Sequence, residues 1–225
     1  MFHLASPAYT RRFILAGLIG AVVLCLGLGS AAWYLTRCDM RDYLNRAAVS
    51  PASLQERYLF ACGHVWHSRD AGRVWVRMAS TGLPFGTRDG HIAADRKAGY
   101  LYLGLLINTQ GSIYCPLCAW TNLRPAIYIS TDGGRRWTFA YKFKRGPAGD
   151  GGFLGLFADP DRAGAAYAVI KNSDEITYYA TGTSGHFWKQ NCVEYYFIGS
   201  GRCKLPEKVI RLQFHDAPAA GVTGE

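Results

Sequence analysis

Few residues of this chain have the type and spacing that chemistry requires. Cys115-Pro116-Leu117-Cys118 is a C-x-x-C pair, a spacing that serves a redox couple, half a zinc site or a local disulfide. A redox couple needs a helix start that lowers one thiol pKa, and zinc needs two further ligands at comparable spacing. Neither context surrounds the pair, so a structural bridge is expected. Histidines stand at 3, 64, 67, 91, 186 and 215, none with i, i+4 spacing beside a helical glutamate. His64 with Trp66, and Val65 with His67, alternate as the two faces of one strand. The acid pairs Asp159/Asp161 and Asp174/Glu175 fall in turns, where solvated carboxylates are the ordinary occupants and glycosidase pairs the exception. The sequence has no G-x-S-x-G, no phosphate loop and no dinucleotide fingerprint. The expectation is a protein that is not an enzyme, with no cofactor and no metal site.

The elements that would position such residues follow from composition. The chain has 225 residues, 49% of them hydrophobic, 14% aromatic and 18% charged, with 26 glycines. It is too hydrophobic for disorder and long enough for one packed domain. Lys and Arg total 25 against 16 Asp and Glu, a net charge of +9. The bases form no run, which argues against a nucleic-acid partner. Phe13–Leu35 carries no charge, and a helix of that length, at about 1.5 Å per residue, crosses a hydrocarbon core of about 30 Å. Arg11 and Arg12 precede it, which places the N-terminus in the cytoplasm and the rest of the chain outside. The expectation is a bacterial inner-membrane signal anchor with a periplasmic C-terminal domain. Ser30-Ala31-Ala32 offers the alternative of a cleaved signal and a soluble periplasmic product.

Cysteine usage agrees with export. One of the seven, Cys25, lies in the apolar segment, leaving Cys38, Cys62, Cys115, Cys118, Cys192 and Cys203 as disulfide candidates. Pairing neighbours along the chain gives Cys38–Cys62, Cys115–Cys118 and Cys192–Cys203, although spacing alone leaves the connectivity open.

The strongest signal is a repeat. Ser68-Arg69-Asp70-Ala71-Gly72-Arg73-Val74-Trp75 and Ser130-Thr131-Asp132-Gly133-Gly134-Arg135-Arg136-Trp137 share the spacing Ser-x-Asp-x-Gly-x-x-Trp. A third copy, Thr181 to Trp188, keeps Gly185 and Trp188 but has Thr183 in the Asp position. Such a pattern builds a hairpin tip: Ser and Asp accept turn amides, Gly takes a positive φ, and Trp folds back on the apolar face. It resembles the Asp-box, or BNR repeat, of sialidases and related β-propellers. The resemblance implies structural roles for Ser68, Asp70, Gly72, Trp75, Ser130, Asp132, Gly134, Trp137, Gly185 and Trp188, since these boxes lie at blade edges away from the sialidase active site. Leu123-Arg124-Pro125 is only faintly similar to that family's arginine motif and follows the first box instead of preceding it.

Strand, turn and strand are expected over His91–Leu103 and Leu154–Val169, each followed by a hairpin, Ala126–Ser130 with Trp137–Lys142 and Ile176–Thr181 with Phe187–Gln190. The first unit reads as truncated, with only Tyr58–Cys62 and His64–Ser68, and Lys208–Phe214 offers a late strand to complete it. The fold class is thus mainly β: a transmembrane helix followed by a truncated propeller-like stack of about three antiparallel units. The segments are a basic N-terminus (1–12), the anchor (13–35), a connector with a short helix (36–57), the β domain (58–216) and a tail (217–225). The middle unit carries extra length between Asn108 and Arg124.

The exported region resembles the small envelope immunity proteins that accompany lipase toxins of the bacterial type VI secretion system. The anchor, an early Cys ahead of Tyr58-Leu59-Phe60-Ala61-Cys62-Gly63, the Ser68–Trp75 box immediately after it and the second box from Ser130 carry this resemblance. It implies a periplasmic antitoxin whose partner is a secreted lipase. Trp120, Arg124, Lys144 and Arg145 are the expected contact residues, because Trp and Arg are enriched at binding hot spots. The alternatives are an envelope assembly scaffold and, from a different class, a sialidase-like glycan hydrolase.

Overall fold

Runs rich in β-branched and aromatic residues alternate along this chain with turns containing Gly, Asp or Pro, and such runs pair as antiparallel hairpins. The computed structural model describes residues 39–84, 87, 89–108, 123–143, 152–172, 175–195 and 203–209. Three four-stranded antiparallel sheets form, each with its strands in chain order. Sheet 1 holds β1 (Ala48–Ser50), β2 (Ser53–Ala61), β3 (His64–Ser68) and β4 (Val76–Arg77). Sheet 2 holds β5 (Gly90–Ala94), β6 (Leu101–Asn108), β7 (Leu123–Ser130) and β8 (Thr138–Lys142). Sheet 3 holds β9 (Gly152–Ala158), β10 (Ala166–Asn172), β11 (Glu175–Thr181) and β12 (Lys189–Tyr195). A 3-10 helix, Met40–Arg46, precedes sheet 1.

Sheet 2 is covered on both faces, which explains the unbroken apolar stretch Leu101 to Leu105. One cluster joins Tyr58, Phe60 and Val65 of sheet 1 to Ile92, Leu103 and Tyr128 of sheet 2. A second joins Tyr102, Ile127 and Ile129 of sheet 2 to Leu156, Ala168 and Ile170 of sheet 3. Fully burying a side chain of this size stabilises by roughly 1.5–3 kcal/mol, so these two seams dominate the stack. The first strands of the three sheets meet around a narrow apolar pocket lined by Ala48, Ala93, Ala94, Phe157, Ala158 and Val209. Small alanines let the backbones approach there.

Val209 arrives from the other end of the chain. The expected Cys192–Cys203 bridge is formed, with a Cα–Cα distance of 5.8 Å. It ties β12, at one edge of sheet 3, to the segment 203–209. Lys208 then pairs with Asp161 in the β9–β10 turn, and Val209 is buried beside β9. Cys62 is also disulfide-bonded; the expected partner Cys38, like Cys115 and Cys118, lies outside the described residues.

Two expectations need correction. The connector 36–57 contains a short helix, but Ala48–Ser50 and Ser53–Arg57 are strand, so sheet 1 has all four strands and is not truncated. The late strand does not begin at Lys208, because residues 207–209 form a helical turn. β1 pairs with β2 through Ala48↔Tyr58 and Val49↔Arg57 and so takes the place beside β2 that the first unit was expected to lack; residues 210–214 lie outside the described residues. The anchor 13–35, the tail 217–225 and most of the extra length in the middle unit lie outside the described residues. Among the described residues no helix is long and apolar enough to cross a membrane.

Candidate functional site

The β3–β4, β7–β8 and β11–β12 turns share one hydrogen-bond plan. In the first, the Gly72 N–H donates to Ser68 Oγ at 2.9 Å, and the Val74 N–H to Asp70 Oδ1 at 2.9 Å. In the second, the Gly134 N–H donates to Ser130 Oγ at 2.8 Å, and the Arg135 and Arg136 N–H groups to Asp132 Oδ1 at 3.0 and 2.9 Å. The third turn keeps the plan with hydroxyls: the Gly185 N–H donates to Thr181 Oγ1 at 3.3 Å and the Phe187 N–H to Thr183 Oγ1 at 3.0 Å. Thr183 replaces a carboxylate because one hydroxyl lone pair suffices for one amide.

Each tip is also tied back to its own sheet, the first to strand β2 and the other two to the β5–β6 and β9–β10 turns. Ala71, Gly133 and Ser184 donate their amides to the carbonyls of Gln55, Gly99 and Gly164 at 2.8–2.9 Å. These three donors adopt φ of 61°, 75° and 54°, and the following glycines are also at positive φ. Trp137 and Trp188 are buried, and their indole N–H groups donate to Gly134 O and Gly185 O, both at 2.9 Å. Trp75 differs. It is only half-buried, and its indole N–H has no acceptor among the described residues.

The carboxylates on this face are thus engaged in holding backbone. The Ser68 hydroxyl, then the Val74 amide, lowers the pKa of Asp70; the Arg136 amide does so first for Asp132. Two further acids carry structural weight that the sequence pattern does not assign. Asp95 is buried and accepts from the Tyr102 hydroxyl at 2.7 Å and from the Gly164 N–H of sheet 3 at 2.9 Å. Burial, then this bond to Asp95, raises the Tyr102 pKa far above its ordinary value. Asp159, expected to be solvated, is buried under the Arg162 guanidinium and the Tyr167 hydroxyl, at 3.0 and 3.2 Å. The signal that marks both acids is the shared Ala-Asp before each turn, with a tyrosine early in the next strand.

His64, His67 and His91 are strand residues and His186 lies in the β11–β12 turn, while His3 and His215 lie outside the described residues. His67 stacks on Tyr58 at 4.6 Å, and burial lowers its pKa against the opposing pull of Glu56. Burial, with Arg46 nearby, pushes His91 down to about 4. Among the described residues no group of three His, Cys, Asp or Glu side chains could hold a metal ion.

Of the expected contact residues, Arg124 lies on β7 opposite Ile107 and is half-buried. Trp120, Lys144 and Arg145 lie outside the described residues. A depression runs along sheet 1, past His64, Arg77, Met78, Ser80, Leu83 and Pro84. Val74, in the β3–β4 turn, and Val76, on edge strand β4, are exposed.

No protein-family model matches this chain, and no curated protein does. Among solved structures it is similar to YCF48 from Cyanidioschyzon merolae, with 18% identity and a TM-score of 0.43 over 71% of this chain and 42% of that one. A structure of YCF48 bound to D1 peptide matches at 14% identity and a TM-score of 0.41, over 64% of this chain and 40% of that one. A GH74 xyloglucanase from Xanthomonas campestris matches at 20% identity and a TM-score of 0.41, over 61% and 19%. These neighbours have β-propeller folds, and the chain spans less than half the length of each.

Proposed function

We propose that this chain is a membrane-anchored periplasmic immunity protein that binds and neutralises a type VI secretion lipase toxin. One observation supports a binding role above the others. The acids of the repeated tips, Asp70 and Asp132, accept backbone amides of their own turns, and buried Asp95 and Asp159 are likewise engaged. Carboxylates fixed in this way brace a rigid framework and are not free to attack or protonate a substrate. The stack is read as a shortened propeller-like framework, with the repeated tips as Asp-box hairpins. The Cys192–Cys203 bridge suits an oxidising compartment and therefore the exported location.

Co-expression of the exported domain with the candidate lipase in the periplasm tests the reading. Survival of the host is the expected result; lysis at full expression of the domain overturns it.

A further inference from the structure

The outer edge of sheet 2 is partly covered by the chain itself. After β4, Ser80, Thr81 and Gly82 lie along the second turn as a short parallel addition. The Thr81 N–H donates to Arg135 O and the Trp137 N–H donates to Thr81 O, both at 2.9 Å. The Ser80 hydroxyl donates to Gly134 O at 2.8 Å. The next residue must be glycine: at Gly82, φ is +83° and an added Cβ would stand 2.1 Å from Trp137 O. The molecule thus shows what such an edge accepts, an extended segment of small polar residues closed by a glycine.

The first turn offers the same atoms. Arg73 O and the Trp75 N–H are the counterparts of Arg135 O and the Trp137 N–H, and neither has a partner among the described residues. Val74 and Val76 flank them at 61% and 63% exposure. Arg73 and Arg77, within this edge, are exposed, while the neighbouring Asp70 carboxylate is held by Ser68 and Val74. The edge is therefore positive, apolar at its centre and open to backbone pairing, a combination that suits strand addition by an acidic peptide.

We propose that Arg73–Arg77 binds an extended acidic segment of the protein partner, added parallel to sheet 1 as Ser80–Gly82 is added to sheet 2, with a glycine where the chain passes Trp75. This rests on the protein-binding part of the function proposed above and not on the partner being a lipase.

The test uses the full chain and a fluorescein-labelled Asp-Ala-Ser-Thr-Gly-Leu-Glu peptide. Saturable binding by anisotropy is expected. It should weaken at least tenfold when the threonine nitrogen is methylated, when the acids are replaced by lysine, and in an Arg73→Glu, Arg77→Glu double variant with unchanged far-UV circular dichroism. Hydrogen exchange gives a second reading: the Trp75 amide should exchange freely in the protein alone and slow when peptide is added. Absence of binding, equal binding of the methylated peptide, or a Trp75 amide already protected in the protein alone overturns the proposal. The third result would mean that the chain covers its own edge. Since no toxin is present, failure here leaves the co-expression result standing, and failure of co-expression leaves the edge site standing.

Discussion

At the scale of single residues, Ser68, Ser130, Asp70 and Asp132 do what their spacing requires, because each bond reaches only two to four residues along the chain. Local geometry of this kind is legible in sequence. Asp132→Ala removes the acceptor for the Arg135 and Arg136 amides and should destabilise by about 1–2 kcal/mol at neutral pH, measured by denaturant unfolding. Because these bonds hold the Asp132 carboxyl below its usual range, their contribution is complete above the ordinary carboxylate pKa. It is lost as pH falls through the lower, folded value. The unfolding curves of parent and variant should therefore converge in acid. Asp95 and Asp159 were not legible in the same way. The acceptor role of Asp95 depends on Gly164, which only the packing of sheet 3 against sheet 2 brings within 2.9 Å.

At the scale of elements, sheets 2 and 3 follow from apolar runs bounded by turn residues in the expected order, although β6 and β7 run longer than the pattern marks and β12 is shifted to Lys189–Tyr195 from the expected Phe187–Gln190. Sheet 1 does not follow so directly. β1 has three residues, and its pairing register shifts between Val49 and Ser50. The first half of β2 is polar and exposed, so no alternation announces a strand. What makes these residues strand is pairing with Tyr58 and Arg57, a partnership set by the fold. The segment after β4 shows the same dependence, since Gly82 is required by the distant carbonyl of Trp137. Gly82→Ala should cost at least about 2 kcal/mol, combining an unfavourable φ with a backbone collision. Thermal unfolding checks this, and an unchanged midpoint would contradict the close approach.

At the scale of the whole molecule, the segment 203–209 begins at β12, one edge of sheet 3, and ends with Val209 beside β9, the other edge. The Cys192–Cys203 bridge has a sequence separation of 11, and closing a loop of this size stabilises by roughly 2–3 kcal/mol. A Cys192→Ser, Cys203→Ser variant should lose about that much stability and expose Lys204 and Lys208 to faster tryptic cleavage, read by mass spectrometry. Cleavage at the parent rate would mean that Val209 and the Lys208–Asp161 pair hold the segment without the bridge. The sequence by itself determined the β class and the tip turns, because each is encoded by neighbours along the chain; it offered the 192–203 pairing as one of several, and the structure decided it. Only the tertiary structure decided that sheet 1 is complete, that Asp95 and Asp159 are buried, and that Trp75 stands apart from Trp137 and Trp188. Those outcomes depend on which sheet faces which, and burial between sheets is a property of residues far apart in the chain.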